Sequence, residues 1–254
     1  MQLKNKFIIL TGASSGIGYD LLTLLLQKGA KVIAASRKIM DIDIDHPNLY
    51  KYACDISKKE GVDSLFEYAK TTFGDIDAYI ANAGFTYYGK TNNSWQDIQK
   101  IFSTNVFSAI YAATKLRELS ENRPYNFMIT ASAMGFISLP GYALYASTKS
   151  ALRAFGDAYR YELKKGQHFQ IVYPIATLTP FFKNAGDIPI AWPRQSSQKV
   201  AAAMLKALEK DKAVLYPSKL FILFKWLSSL FPFLSKIYMN FYNKELIKWQ
   251  KENI

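Results

Sequence analysis

Tyr145 and Lys149 stand one helical turn apart, and Ser132 lies thirteen residues upstream of the tyrosine. Side chains at i and i+4 of a helix face the same way, so the ammonium can act on the phenol. A phenol with its ordinary pKa of about 10 is a poor proton donor near neutrality, and a neighbouring ammonium favours the phenolate. A serine hydroxyl within reach can hydrogen-bond an oxygen on which charge develops. Far upstream, the apolar run Phe7, Ile8, Ile9, Leu10 leads directly into TGASSGIG. Its Gly12, Gly16 and Gly18 let the backbone turn tightly and approach a pyrophosphate, which the N–H groups of a following helix N-terminus stabilise. Proton transfer beside a bound dinucleotide points to nucleotide-dependent redox chemistry.

The set and order of these motifs resemble the short-chain dehydrogenase/reductase family, whose members move a hydride between NAD(P)H and a carbonyl or alcohol carbon. The resemblance covers roughly the first three quarters of the chain. Thr11, Gly12, Gly16 and Gly18 match its glycine-rich turn, with Ser14, Ser15 and Ile17 within it. Asp55, followed by Ile56, matches the adenine-side aspartate, and Asn82, Ala83 and Gly84 match the NAG motif that lines the cofactor. Asn105, Ser132, Tyr145 and Lys149 fall where the family has its catalytic tetrad.

The resemblance implies a role for each member. Tyr145 is the proton donor in the reductive direction and Ser132 hydrogen-bonds the substrate oxygen. Lys149 lowers the tyrosine pKa and binds the nicotinamide ribose hydroxyls. Asn105 holds a water that connects Lys149 to bulk proton supply. One segment departs from the pattern: where the family usually has Pro-Gly ahead of a threonine, this chain reads Pro174, Ile175, Ala176, Thr177, Leu178, Thr179. A β-branched residue does not take the positive φ open to glycine, so the backbone here is expected to run differently. Thr179 aligns with the family's threonine and is expected to hold the carboxamide, with Pro174 and Thr177 beside it.

NAD enzymes of this fold generally end the second strand in a carboxylate that holds the ribose 2′-hydroxyl and repels a 2′-phosphate. Here that position is Ser36, followed by Arg37 and Lys38. Arginine suits phosphate through paired charge-assisted hydrogen bonds, so NADP(H) is the expected cofactor, with NAD(H) the alternative. Arg37 in a solvated turn is the competing reading. Asp55 either accepts from the adenine amino group or caps the helix beginning near Ser57.

The elements that must position these residues alternate in type. Strands are expected at 7–10, 32–35, 50–53, 78–81, 127–130, 170–173 and 214–216, mostly separated by helices. IGYDLLTLLLQKG suits a helix with a glycine cap. The stretch 38–48 is short and contains Pro47, so its crossover is expected to shrink to a loop. This pattern implies an α/β fold: a Rossmann-type doubly wound parallel sheet of about seven strands with helices on both faces. A chain of 254 residues that is 50% hydrophobic can bury a large core. Without a linker or repeat, 1–254 is expected to form one domain, with 217–254 as an apolar helical C-terminal extension.

Composition narrows the partners. Four consecutive apolar residues near the N-terminus are too few for a signal-peptide core, and Cys54 is the only cysteine. Both features fit a cytoplasmic protein. His46 and His168, the only histidines, lie in no ligand-spaced cluster, so no metal site is expected. The net charge is +12, and the last 56 residues carry ten lysines against Glu209, Asp211, Glu245 and Glu252. Such charge suits nucleic acid, anionic lipid, an acidic carrier or plain solubility, and no nucleic-acid motif accompanies it.

AMGFISLPGYALY between the catalytic serine and tyrosine, together with Phe85, Pro180, Phe181 and Phe182, is expected to wall a pocket for a bulky apolar ketone or alcohol, although core or subunit packing would use the same residues. Leu220–Leu234, LFILFKWLSSLFPFL, is shorter than the roughly 20 residues that cross a bilayer. It suits an interfacial helix on an anionic membrane, a cover for the pocket, or a contact with a neighbouring subunit of a dimer or tetramer. Two other functions stay open: reduction of a β-ketoacyl group on a carrier, and NADP(H) sensing without turnover. The latter usually shows a broken tetrad, and this one is intact.

Overall fold

The computed structural model describes residues 1–90, 92–183 and 188–253. In chain order the elements are β1 (Phe7–Thr11), α1 (Gly16–Gln27), β2 (Lys31–Ala35), β3 (Leu49–Tyr52), α2 (Lys59–Phe73), β4 (Ala78–Ala81), α3 (Trp95–Phe102), α4 (Ser108–Ser120) and β5 (Tyr125–Thr130). There follow α5 (Ala143–Tyr159), β6 (Gln167–Val172), β7 (Ala176–Leu178), α6 (Pro180–Lys183), β8 (Arg194–Ser196), α7 (Ser197–Glu209), β9 (Val214–Leu215), α8 (Lys219–Leu230) and α9 (Phe233–Asn253). A π-helical stretch, Ser103–Phe107, joins α3 to α4.

Seven strands form one parallel sheet in the order β3-β2-β1-β4-β5-β6-β9. Parallel strands are buried on both faces, and the inner strands β1, β2, β4 and β5 are buried along almost their whole length, whereas the edge strand β3 is only half-buried. Alternate residues serve opposite layers. Ile8 and Leu10 of β1 pack under α1 and α7 with Leu21, Leu25, Val200 and Met204, whereas Ile9 faces α2 and α4. On that second face Phe66, Tyr79, Phe127 and Phe169 stack in a row, with ring centroids 5.4, 5.2 and 5.9 Å apart. The β2–β3 connection holds only a 3₁₀ turn, Ile39–Asp41, as Pro47 and its short length led one to expect.

Strand order reverses between β1 and β4, opening a crevice at their carboxyl ends, where ligands of such sheets bind. The register brings the ends level: Thr11 pairs with Ala35, Leu10 with Ile80, Ala81 with Ile129 and Thr130 with Val172. The loops that follow these residues therefore converge on one edge. A smaller apolar cluster, including Tyr88, Leu139, Tyr142, Phe182 and Tyr242, lies beyond it and joins α9 to the loops around the crevice.

Candidate active site

Thr11 ties the first turn to the NAG loop: its Oγ1 accepts from the backbone N–H groups of Asn82 (3.2 Å) and Ala83 (3.3 Å). Asn82 in turn donates from Nδ2 to the Gly12 carbonyl at 3.2 Å and accepts from Thr130 Oγ1 at 3.1 Å. This closeness requires glycine. Gly12 has φ +66°, and a methyl group on it would lie 2.7 Å from Ala83 Cα. Gly18 has no exposed role. A methyl there would collide with the Gly12 carbonyl oxygen, so Gly18 holds the turn from behind rather than lining the crevice.

The crevice is a cavity of about 1370 Å³. A single drug-sized ligand occupies a pocket of roughly 300–1,000 Å³, so this one has room for two molecules side by side. One arm is polar, walled by Gly12, Ser14, Ser15, Gly16, Ile17, Ser36, Arg37, Asp55, Ile56, Asn82, Ala83 and Gly84. Every cofactor residue expected from the sequence lines the cavity except Gly18, with Pro174, Thr177 and Thr179 among those that do. Thr179 packs on Gly16, where a methyl group would meet Thr179 Cγ2 at 2.9 Å. Ile175 takes no positive φ, and β7 runs on from it to pair with β8.

Ser36 Oγ is buried without a hydrogen-bond partner among the described residues, at the position that would meet a ribose 2′ group. Arg37, beside it, is exposed. An orphan hydroxyl and a cradle too tight for any Cβ both fit a dinucleotide. Asp55 has one oxygen committed locally, accepting from Ser57 N (3.1 Å) and Ser57 Oγ (2.8 Å). Partial burial opposes its charge, but these bonds, with Arg37 and Lys58 nearby, hold its carboxyl below the usual range. Helix α2 begins at Lys59 with Lys58 at its N-cap position and no side-chain cap, so Asp55 closes the turn ahead of the helix rather than capping it, and the residue also faces the cavity.

At the junction of the polar arm with an apolar one lie Ser132, Tyr145 and Lys149. The end of β5 supplies Ser132, whose Oγ accepts from Met134 N at 3.1 Å; α5 supplies the other two. Lys149 is buried and donates to the Thr130 carbonyl at 2.8 Å, with its Nζ 5.5 Å from the Tyr145 ring. Burial lowers the Lys149 ammonium from its ordinary 10.5 to about 7. Burial also pushes the Tyr145 phenol up to about 12, against a lowering contribution from Ser132. Lys149 Nζ is thus turned to a carbonyl, and the causes of the Tyr145 shift are burial and Ser132 rather than Lys149.

Asn105 does not line the cavity. Its Oδ1 accepts from Phe85 N at 3.0 Å, and its Nδ2 donates to Phe85 O at 2.9 Å and Thr148 Oγ1 at 3.1 Å. It fastens the NAG loop to α5 from behind Gly84, where a methyl group would approach both Asn105 Oδ1 and Lys149 Nζ.

The apolar arm contains Phe85, Phe181 and Phe182 as expected, with Met134, Ile137, Leu139 and Tyr142 from the segment before Tyr145. Phe136 of that segment points away, onto Tyr173 and Tyr216 and between the cations of Arg153 (4.9 Å) and Lys225 (4.3 Å). In the tail Phe221 is buried, and it and Phe224, with Leu220 and Tyr238, line the cavity, the arrangement of a pocket cover among the three alternatives open for this segment. Sequence reasoning missed Tyr238 and Trp192. The tyrosine pair Tyr238 and Tyr242, at i and i+4, was the available signal: one hydroxyl donates to Trp192 O (2.6 Å) and the other accepts from Trp192 N (2.7 Å). No cluster of three metal-ligating side chains occurs among the described residues.

A switch-point crevice with a glycine cradle and a Ser-Tyr-Lys group defines a nucleotide-binding α/β enzyme class. Residues 6–188 match the model of the short chain dehydrogenase family, and the chain belongs to that family of oxidoreductases. An uncharacterized oxidoreductase of Staphylococcus saprophyticus is 30% identical over 168 residues, covering 63% of this chain and 68% of the relative. Among solved structures, a short chain dehydrogenase/reductase from Burkholderia phymatum in complex with NAD has a TM-score of 0.79 at 18% identity, covering 90% of this chain and 94% of that one. A short chain dehydrogenase from Burkholderia cenocepacia in complex with NADP has a TM-score of 0.78 at 23% identity, with the same coverage. These two share the fold.

Proposed function

We propose that the protein is an NADP(H)-linked oxidoreductase acting on the carbonyl or alcohol group of an apolar molecule. The observation that carries this reading is the meeting of Ser132, Tyr145 and Lys149 on one cavity, where the polar lining around the glycine turn meets an aromatic one. Gly12, Gly16 and the N-terminus of α1 would hold the pyrophosphate, Ser36 and Arg37 the adenosine ribose and its 2′-phosphate, and Lys149 the other ribose. A nicotinamide bound there supplies or accepts the hydride. NADP is favoured because no carboxylate ends β2 and the Ser36 hydroxyl lacks a partner.

In the reductive direction Tyr145 donates its phenolic proton to the substrate oxygen as negative charge forms on it, and Ser132 hydrogen-bonds the same atom. A phenol held near 12 stays protonated throughout the physiological range, so the acid is always loaded. A charged Lys149 would then stabilise the phenolate that remains. Asn105 acts as a positioning residue, since its bonds fix the NAG loop against α5. Phe85, Phe181, Phe182, Phe221 and Phe224 exclude water around the reacting oxygen and favour an acyl chain or fused rings over a sugar.

The test is a panel of ketones, alcohols and acyl thioesters of graded chain length, followed by nicotinamide absorbance with NADPH and NADH. Turnover that rises with apolar size and prefers NADPH is expected. Preference for carrier-linked thioesters would move the assignment to ketoacyl reduction. Tight cofactor binding with no turnover on any of them would favour a sensing protein.

A further inference from the structure

The outward surface of α8 and α9 is of a different kind from the rest of the molecule. The two helices meet at an angle of 115° around Phe231 and Pro232, and no single helix among the described residues is long and apolar enough to cross a membrane. Each helix has two faces. On α8, Phe221 and Phe224 turn inward to the cavity, while Ile222, Leu223, Trp226 and Leu230 are exposed. On α9, Tyr238 and Tyr242 turn inward to hold Trp192, while Phe233, Ile237 and Phe241 form an outward stripe at i, i+4 and i+8. Trp226, Ile237 and Phe241 are 59%, 62% and 58% exposed, too open for core packing.

Charge accompanies this surface. Lys219, Lys236, Lys244, Lys248 and Lys251 are exposed around it, and none pairs with a carboxylate among the described residues. Between Ala213 and Asn243 the sequence contains no Asp or Glu at all. A two-fold contact with a second copy would set this cationic rim against its own twin, with little acid to answer it. An anionic lipid surface answers both features at once: the headgroups meet the lysines and the upper acyl region meets the aromatic and branched side chains.

We infer that the α8–α9 hairpin seats the protein peripherally on an anionic bilayer and places the mouth of its apolar cavity at that surface. Leu220 and Trp192 line the cavity and are also exposed, so the cavity wall and the outer apolar face are continuous. An apolar substrate dissolved in the membrane then reaches Tyr145 without crossing bulk water. That last step rests on the proposed apolar-substrate activity; the docking itself does not.

The experiment is co-sedimentation of the full chain with phosphatidylcholine vesicles, with and without phosphatidylserine, at low and high salt. Binding should be at least about tenfold stronger to the anionic vesicles and should fall with salt. Combined W226S, I237S and F241S should weaken it by about tenfold or more while leaving turnover of a short water-soluble ketone unchanged, because none of the three lines the cavity. Should that variant not fold, K236E with K244E and K248E tests the same face through its charge. A parent protein that stays in the supernatant with anionic vesicles overturns the inference. So does a stable dimer, seen by sedimentation velocity, that the apolar substitutions convert to monomer. Vesicle binding without turnover of any apolar ketone would refute the proposed activity and leave the docking standing; turnover without vesicle binding would do the reverse.

Discussion

Replacing Lys149 by methionine should abolish turnover and yet make the ligand-free protein more stable at low pH. The lysine is 4% exposed, and its ammonium is lowered from 10.5 to about 7 by burial. A difference of that size corresponds to about 5 kcal/mol of unfavourable interaction when the charged form is kept inside the fold. Methionine has similar length and removes the charge, but it leaves the Thr130 carbonyl without the 2.8 Å bond from Nζ. An unpaired buried carbonyl costs about 1–3 kcal/mol, so the net gain should be about 2–4 kcal/mol at about pH 6. For a chain of this length that is about 4–8 °C in Tm.

The pH dependence has a definite sign. Below about 7 the lysine is protonated in both the folded and unfolded states, and the whole cost is present. Between about 7 and 10.5 the unfolded chain binds the extra proton, so the parent gains stability as pH rises and the gap to the variant narrows. Near pH 9 the two should melt at about the same temperature. Thermal unfolding of both proteins without cofactor, across this range, is the assay. A variant less stable than the parent at about pH 6, or a gap that does not shrink with rising pH, would refute the claim that Lys149 is held against its desolvation.

Arg37→Ala should narrow a preference for NADPH over NADH, and Ser36→Asp should reverse it, because a carboxylate repels the 2′-phosphate and accepts from a 2′-hydroxyl; calorimetric titration at matched salt measures both. Gly18→Ala should lose cofactor binding by at least about tenfold or fail to fold, since its methyl group collides with the Gly12 carbonyl that shapes the cradle. Normal affinity in that variant would contradict the packing role assigned to Gly18.

Much of the fold was legible because its signals are local. The apolar runs ending at Leu10, Ala35 and Ala81 read directly as buried strands, and Gly29, with φ +74°, ends α1 as the sequence implied. The polar arm was legible for the same reason: glycines and short polar residues at strand ends have few other uses. Side-chain direction was not. Phe136, Phe221 and Phe224 looked alike as apolar residues near the site, but only tertiary packing decides that the first meets Arg153 and Lys225 and the others enter the cavity. The i, i+4 spacing of Tyr145 and Lys149 gave their shared face correctly, while the lysine's bond to Thr130 depended on where β5 ends. Asn105 likewise joins two segments distant in sequence, Phe85 and Thr148, which no spacing rule foretells.

The central claim is that Tyr145 is the proton donor in a nicotinamide-linked reduction of an apolar carbonyl. Single-turnover reaction of the parent and Tyr145→Phe with the best ketone of the panel, alongside NADPH titration of each, tests it most directly. The account predicts that the phenylalanine variant binds NADPH with near-parent affinity, since the ring's contacts with Phe181 and Tyr142 survive, and loses hydride transfer by at least about a hundredfold. Hydride transfer at close to the parent rate in that variant would contradict it.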